Sequence, residues 1–264
     1  MNEICLSPQE LLVLASSVGA GNFYGIKDPF CGMARHEIEA AIPSIQLELE
    51  QKGYAELGFD SSFHIKPDVM SMVSVCAICE KYIMVDVISA GNRVPKEVLY
   101  FSNEHCVKLT QDENSVKISS VCPEAFINDL IADVFQCNPH EAGDETSIVI
   151  SKSVLDHAKE RSVEDAKQVL QSAGCSPAVA SAIAEGLNQL CTTVSLVAVD
   201  LRGHSLDATI CIVSQDALLS MKLDDFGAQD NWCVSQQTHE ELRHELLSLI
   251  GDSTRRGGTD DALM

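Results

Sequence analysis

The apolar and polar positions of this chain form two similar patterns about 112 residues apart. The apolar stretch at 82–88 aligns with 194–200, an offset of 194 − 82 = 112. The same offset aligns the turn pair Gly91-Asn92 with Gly203-His204. Short apolar runs separated by such turns are typical of β-hairpins. The pattern therefore predicts one structural unit that occurs twice.

Helix signals precede the strands in both halves. Ser7, Pro8 and Glu10 have the spacing of an N-cap, a first helical residue and a capping box. Ser176-Pro177 repeats the start signal of Lys66-Pro67. Predicted helices lie near 7–19, 35–52, 67–79, 123–135, 152–161, 163–173, 176–190 and 238–250. Predicted strands lie near 81–90, 95–102, 105–111, 115–120, 148–150, 193–201, 206–214, 217–223 and 231–235, with a short hairpin over 59–65.

Each half thus consists of helices, then antiparallel strands, then a closing helix. This order predicts an α+β fold built from two quasi-equivalent repeats. We place the first repeat at 1–136 and the second at 148–251. The segment 137–147, which is rich in Asn, Pro, Gly and acidic residues, is the predicted linker. The tail 252–264 lacks periodicity and is predicted to be disordered.

The charge balance limits the partners. The chain has 18 basic and 39 acidic residues, a formal net charge of −21. A field of that sign repels phosphate backbones and anionic lipids, so we expect no nucleic-acid partner and no membrane insertion. The first residues lack a basic region followed by an apolar one, so we expect no secretory signal. Its 11 cysteines are scattered singly, which favours reduced thiols in the cytoplasm.

Three local motifs resemble chemical sites but have the wrong context. The glycines of 19–25 follow a helix instead of a strand, so they predict a helix break and no nucleotide loop. Cys76 and Cys79 end an apolar helix, where redox pairs begin one, and are predicted to lie on the core. His239 and His244 are five residues apart and do not share a helix face. We therefore predict no catalytic residue, no cofactor and no metal site. An enzyme with a site assembled from scattered residues remains an alternative.

A winged-helix regulator is a second alternative, because 7–19, 35–52 and 54–65 have the order helix, helix and hairpin. A DNA-reading helix needs basic and amide side chains that face the groove. The helix at 35–52 instead carries several glutamates, with Arg35 and Lys52 only at its ends. Such an element is a protein contact or a relic of the fold more readily than a DNA reader.

The helix start Leu6-Ser7-Pro8-Gln9-Glu10-Leu11-Leu12, the two α-then-β halves, the acidic charge and the length together resemble the EspG-type chaperones of type VII (ESX) secretion. The resemblance covers about 6–251. It contains no diagnostic short motif, so no residue role is carried over. It implies a non-catalytic bacterial protein that keeps helical secretion substrates soluble in the cytosol.

A chaperone of this kind needs exposed apolar side chains and strand edges. Our candidates for partner contact lie on one face of the duplicated first strand and its neighbour: Tyr82, Met84, Leu99 and Phe101. The alternative interpretation places these four side chains in an ordinary core. A helical secretion substrate is the predicted partner, and a homodimer is a further option.

Overall fold

The computed structural model describes residues 3–20, 23–60, 62–89, 91–103, 105–112, 114–134, 147–215, 217–224 and 231–251. The predicted disordered tail lies outside these residues, as does all of the predicted linker except Ser147. The described chain is α+β, as the sequence predicts.

The elements follow the predicted order closely. The first twelve are β1 (Glu3–Leu6), α1 (Pro8–Ser17), α2 (Arg35–Gln51), β2 (Ala55–Leu57), β3 (Phe63–Ile65), α3 (Pro67–Ala77), β4 (Lys81–Ser89), β5 (Asn92–Arg93), β6 (Lys96–Ser102), β7 (His105–Gln111), β8 (Val116–Ser120) and α4 (Pro123–Val134). The remaining nine are β9 (Ile148–Ser151), α5 (Lys152–Lys159), α6 (Val163–Ser172), α7 (Pro177–Leu187), β10 (Thr192–Asp200), β11 (Ser205–Val213), β12 (Leu218–Asp224), β13 (Asn231–Gln236) and α8 (His239–Gly251).

The chain divides into two units that are discontinuous in sequence. The first unit comprises Met1–Met84, Pro95–Cys122 and Asp200–His204. The second comprises Val85–Val94, Pro123–Val199 and Ser205–Met264. Helix α4 therefore belongs by its contacts to the second unit, although its sequence closes the first repeat. The repeat boundaries at 1–136 and 148–251 stay a prediction from sequence similarity.

The two units order their strands in the same way. In the first unit the order is β1-β8-β7-β6-β4, and in the second it is β9-β13-β12-β11-β10. β1 pairs antiparallel with β8, and β9 pairs antiparallel with β13. In both sequence repeats, therefore, the strand that leads into the first helix pairs with the last strand before the closing helix. This shared order agrees with the duplication inferred from the sequence, although β1 itself was not predicted.

Local chemistry sets the helix ends. The Ser7 hydroxyl accepts the Glu10 N–H, and the Glu10 carboxylate accepts the Ser7 N–H, so the predicted capping box at α1 is confirmed. Ser176 caps α7 in a simpler way, because its hydroxyl accepts the Val179 N–H. The predicted helix at 35–52 corresponds to α2, which spans Arg35–Gln51. α2 continues through Pro43 and loses the hydrogen bond to the carbonyl four residues earlier.

Each unit buries one face of its strands under helices. In the first unit α1 and α3 cover the face that carries Ile4, Leu109 and Ile118, each at most 1% exposed. In the second unit α5, α6 and α7 pack over β9 and β11–β13 through a cluster rich in alanine and branched aliphatic residues. Burial of each large aliphatic side chain contributes about 1.5–3 kcal/mol, so these two faces hold the units together.

Candidate functional site

The structure buries most of the side chains predicted to contact a partner. Leu99, Phe101 and Tyr82 are 1%, 7% and 9% exposed, and Met84 is partly buried. The alternative interpretation as core therefore describes three of the four. A role in partner binding stays a prediction, and for these three it would require a conformational change.

The loop after α1 explains why Tyr82 is covered. The Tyr24 ring stacks on the Tyr82 ring with centroids 5.1 Å apart. The Tyr100 hydroxyl donates to the Tyr24 carbonyl at 2.5 Å, and burial raises the pKa of Tyr100 well above its ordinary value. A Cβ on Gly25, which has φ +83°, would lie 2.9 Å from Val98 Cγ2. The glycine of this loop thus permits close packing on β6, which fits a structural role instead of a phosphate-binding one.

The Cys76–Cys79 motif has the electrostatics of a core pair. Both thiols are buried at the end of α3. Burial raises the pKa of the Cys79 thiol to about 11 and that of Cys76 well above its ordinary value. A redox or metal-binding cysteine needs the opposite shift, because the thiolate is the reactive form. The pair therefore belongs to the core, as predicted.

The histidine pair of α8 does not form a metal site. His244 Nε2 lies 4.0 Å from Glu240 Oε1, a contact between exposed side chains one helical turn apart. In the described part of the chain, no group of three or more His, Cys, Asp or Glu side chains could hold a metal ion.

Asp60, Ser62 and His64 in the β2–β3 hairpin superficially resemble a hydrolytic triad. Ser62 Oγ and His64 Nε2 are 2.8 Å apart. Asp60, however, accepts the Ser62 backbone N–H at 3.0 Å, and its pKa is lowered chiefly by hydrogen bonds from Ser62. A triad needs the carboxylate on the far nitrogen of the histidine, in a site that excludes water. The hydrogen bonds among these residues therefore stabilise a solvent-exposed turn. Phe59, which precedes Asp60, is a fully exposed aromatic side chain.

The structure contains the helices and the hairpin of the winged-helix alternative, but α2 lacks the basic surface that DNA binding needs. α1, α2 and the β2–β3 hairpin follow one another as predicted. The Arg35 guanidinium at the start of α2 is paired with Glu39 at 2.8 Å, and the neighbouring exposed charges are mainly carboxylates. A phosphate backbone would be repelled from this helix.

The second unit contains a cleft of about 650 Å³, within the size range of ligand-binding cavities. Its lining comes from the β4–β5 hairpin, the C-terminal ends of α4 and α7, and the end of β11. Two apolar side chains in it are exposed: Leu190 at 61% and Val94 at 45%. Two carboxylates, Asp133 and Glu185, also line it, and its described lining contains no Lys, Arg or His.

The hydroxyl groups of the cleft are largely satisfied within the protein. The Ser89 and Thr192 hydroxyls are 2.9 Å apart, and the Ser214 hydroxyl donates to the Ala217 carbonyl at 3.1 Å. Burial, with a smaller contribution from Glu185, raises the pKa of Cys191 to about 11, so this thiol is a poor nucleophile. The cleft therefore offers apolar surface and negative charge, and lacks an activated nucleophile with a base.

The cleft residues were not predicted from the sequence. Leu190 was assigned to the end of a helix, yet α7 stops at Leu187. A signal was available in the aligned repeats, because the two copies differ in chemistry at this point. Glu80 in the first copy aligns with Thr192 in the second at the 112-residue offset.

Comparisons with known proteins support the fold. No family model and no curated protein sequence matches the chain. The structure is similar to that of EspG5, the type VII secretion system chaperone of Mycobacterium tuberculosis, solved in complex with the PE25–PPE41 dimer. The TM-score is 0.63 at 11% identity, over 94% of this chain and 95% of that chain.

Two dehydratase-domain structures from the CurK module of a polyketide synthase have TM-scores of only 0.13 and 0.14, and these carry no argument. They are 11% and 9% identical to this chain, cover 62% and 67% of it, and are themselves covered over 77% and 84%.

The described residues include no helix with the length and apolarity needed to cross a bilayer. The likeness to EspG5 shows that this chain has the α+β fold of that protein.

Proposed function

We propose that this protein is a non-catalytic cytoplasmic chaperone that binds a helical secretion substrate of a type VII-like system and keeps it soluble. The observation that carries the proposal is the fold likeness to EspG5 over nearly the whole of both chains. EspG5 is a chaperone solved together with a bound dimer, so the shared architecture is one that supports protein binding.

Features of the chain itself support a binding role. What the two repeats share is apolar spacing and turns, the parts that build a fold. The Ser62–His64 contact in the first repeat is exposed, and the nearby Asp60 carboxylate accepts the Ser62 backbone N–H. Each unit exposes apolar side chains, including Phe59 in the first and Leu190 in the second. Exposed aromatic and aliphatic side chains can contact a partner protein. The high net negative charge keeps a protein with such side chains soluble.

Co-expression tests this proposal. The chain is produced together with small helical secretion substrates encoded by the same genome, and each substrate is also produced alone. We expect one substrate class to move from the pellet to the supernatant in the presence of the chain and to co-elute with it in a fixed stoichiometry. Substrates that remain insoluble, or that are equally soluble alone, would contradict the proposal. The elution volume of the free chain also decides the homodimer prediction.

A further inference from the structure

The two copies of the repeat differ where α3 or α7 leads into the next strand. In the first unit the Glu80 carboxylate pairs with the Arg202 guanidinium, and the Glu80 carbonyl accepts the Leu201 N–H at 2.8 Å. At the 112-residue offset Glu80 aligns with Thr192 and Arg202 aligns with Ala90, and both of these aligned residues belong to the second unit. The first unit therefore fills this position with an ion pair, whereas the second unit lines its cleft with the short hydroxyl side chain of Thr192.

Backbone geometry holds one apolar side chain of the cleft in an exposed position. The Leu190 N–H donates to the Glu185 carbonyl at 2.9 Å, and the Gln189 N–H donates to the Gly186 carbonyl at 3.0 Å. These two bonds form a Schellman motif, in which the residue at the Leu190 position usually packs back onto the helix. Leu190 is 61% exposed instead. Gln189 adopts φ +56°, a left-handed conformation that is unfavourable for a residue other than glycine. The chain thus maintains a strained turn that presents Leu190 to solvent.

The electrostatics of the cleft favour a cation. Asp133 lies in the last turn of α4, and Glu185 lies in the last turn of α7. Neither last turn contains a basic residue. The C-terminal end of a helix already carries partial negative charge, so a carboxylate there adds to the helix dipole instead of offsetting it. An incoming Lys or Arg would meet two carboxylates and two negative helix ends with no competing cation in the described lining.

We propose that this cleft, between the C-terminal ends of α4 and α7, binds an amphipathic helix of the partner protein that presents leucine-like side chains to Leu190 and Val94 and a flanking Lys or Arg to Asp133 and Glu185. The proposal rests on the proposed function, since it specifies the partner surface that the chaperone recognises. Its selectivity comes from charge: an acidic helix with the same apolar face is rejected.

A peptide assay tests the chemistry directly. The probes are two fluorescently labelled synthetic helices with identical leucine positions, one with lysines and one with glutamates on the flanks, measured by fluorescence anisotropy. We expect the lysine peptide to bind and the glutamate peptide not to bind. Leu190→Glu should weaken binding by about tenfold or more, because the variant loses the apolar contact of the leucine side chain with the peptide.

A matched control separates the cleft from general surface charge. Leu206→Glu introduces the same charge in the second unit at a side chain that is 60% exposed and does not line the cleft. It should change peptide binding by less than about twofold, since the long-range field changes equally in both variants. The double variant Asp133→Asn/Glu185→Gln should also weaken binding and reduce its salt dependence. Equal effects of the two leucine variants, equal binding of both peptides, or binding of small amines without the peptide would overturn the proposal.

The co-expression experiment keeps this proposal distinct from the proposed function. If a substrate complex forms with the wild-type chain and also with Leu190→Glu, the cleft proposal is wrong and the chaperone function stands. If the wild-type chain binds the lysine peptide but solubilises no substrate, the chaperone function is wrong and the chemistry of the cleft stands. Circular dichroism of each variant confirms that it is folded.

Discussion

Glu10 provides a sharp test of how the first unit is stabilised. Its side chain is fully buried, and Oε2 accepts hydrogen bonds from the Ser7 N–H at 2.5 Å and from Lys52 Nζ at 2.7 Å. Oε1 is buried and has no hydrogen-bond partner among the described residues. The Lys52 side chain, by contrast, is 41% exposed. The two partners of this ion pair therefore differ in their access to water.

This difference predicts an order of effects. Glu10→Gln removes the buried charge, keeps an acceptor for Ser7 and lets Lys52 return to water, so it should cost about 1 kcal/mol. Lys52→Met leaves a buried carboxylate with one donor. Breaking a fully buried ion pair in this way costs about 3–5 kcal/mol. Because Lys52 is partly hydrated and Ser7 still donates, we expect about 2–3 kcal/mol here. The double variant should cost no more than Glu10→Gln alone, which corresponds to a coupling energy of about 2–3 kcal/mol in magnitude.

Urea unfolding followed by far-ultraviolet circular dichroism measures these free energies, and hydrogen exchange of the α1 amides gives a local readout. Arg35→Met is the control: its ion pair with Glu39 is 92% and 58% exposed, so its loss should cost less than about 0.5 kcal/mol. If Lys52→Met costs less than Glu10→Gln, the carboxylate is not a buried charge that depends on the lysine, and the reasoning is refuted.

Three further predictions concern the backbone and the thiols. Gln189→Gly should raise the free energy of unfolding by about 0.5–1 kcal/mol, because it relieves the left-handed strain at φ +56°; a decrease in thermal stability would contradict this. The pKa values of Cys79 and Cys106 are raised to about 11 and about 12 from an ordinary 9.0, so the folded state keeps protons that the unfolded state loses above pH 9. Stability should therefore fall between pH 9 and 11, by about 1.4 kcal/mol per pH unit for each thiol, and a flat profile over that range in urea unfolding would count against these shifts. Iodoacetamide should label the exposed Cys31 in the native protein and Cys76 only after unfolding, as mass spectrometry would show; equal labelling of both would be the contrary result.

The fold was largely predictable because its signals are local and occur twice. Ser7 and Ser176 mark helix starts through hydrogen bonds within one turn, and the strand patterns recur at a fixed offset, so each repeat supports the assignment of the other. β1 escaped prediction because it is four residues long and depends on pairing with β8, which is over 100 positions away in sequence.

The candidate site was less predictable for a physical reason. Apolar side chains in strands identify a sheet but not which of its faces is covered, so Tyr82 and Leu99 were chosen although the fold buries them. The cleft depends on where two helices end and on a substitution between copies, Glu80 against Thr192. In the sequence, the cleft is indicated only by the difference between the aligned repeats at Glu80 and Thr192.

The most direct test of the chaperone function is an aggregation assay with purified components. A helical secretion substrate from the same genome is unfolded in urea and diluted into buffer, and light scattering is followed with increasing amounts of the chain. The chaperone function predicts that scattering is suppressed and that suppression is complete at a simple molar ratio, with the substrate recovered in a complex. Scattering that is unchanged by the chain, or reduced equally by an unrelated protein of similar acidic charge, would contradict it.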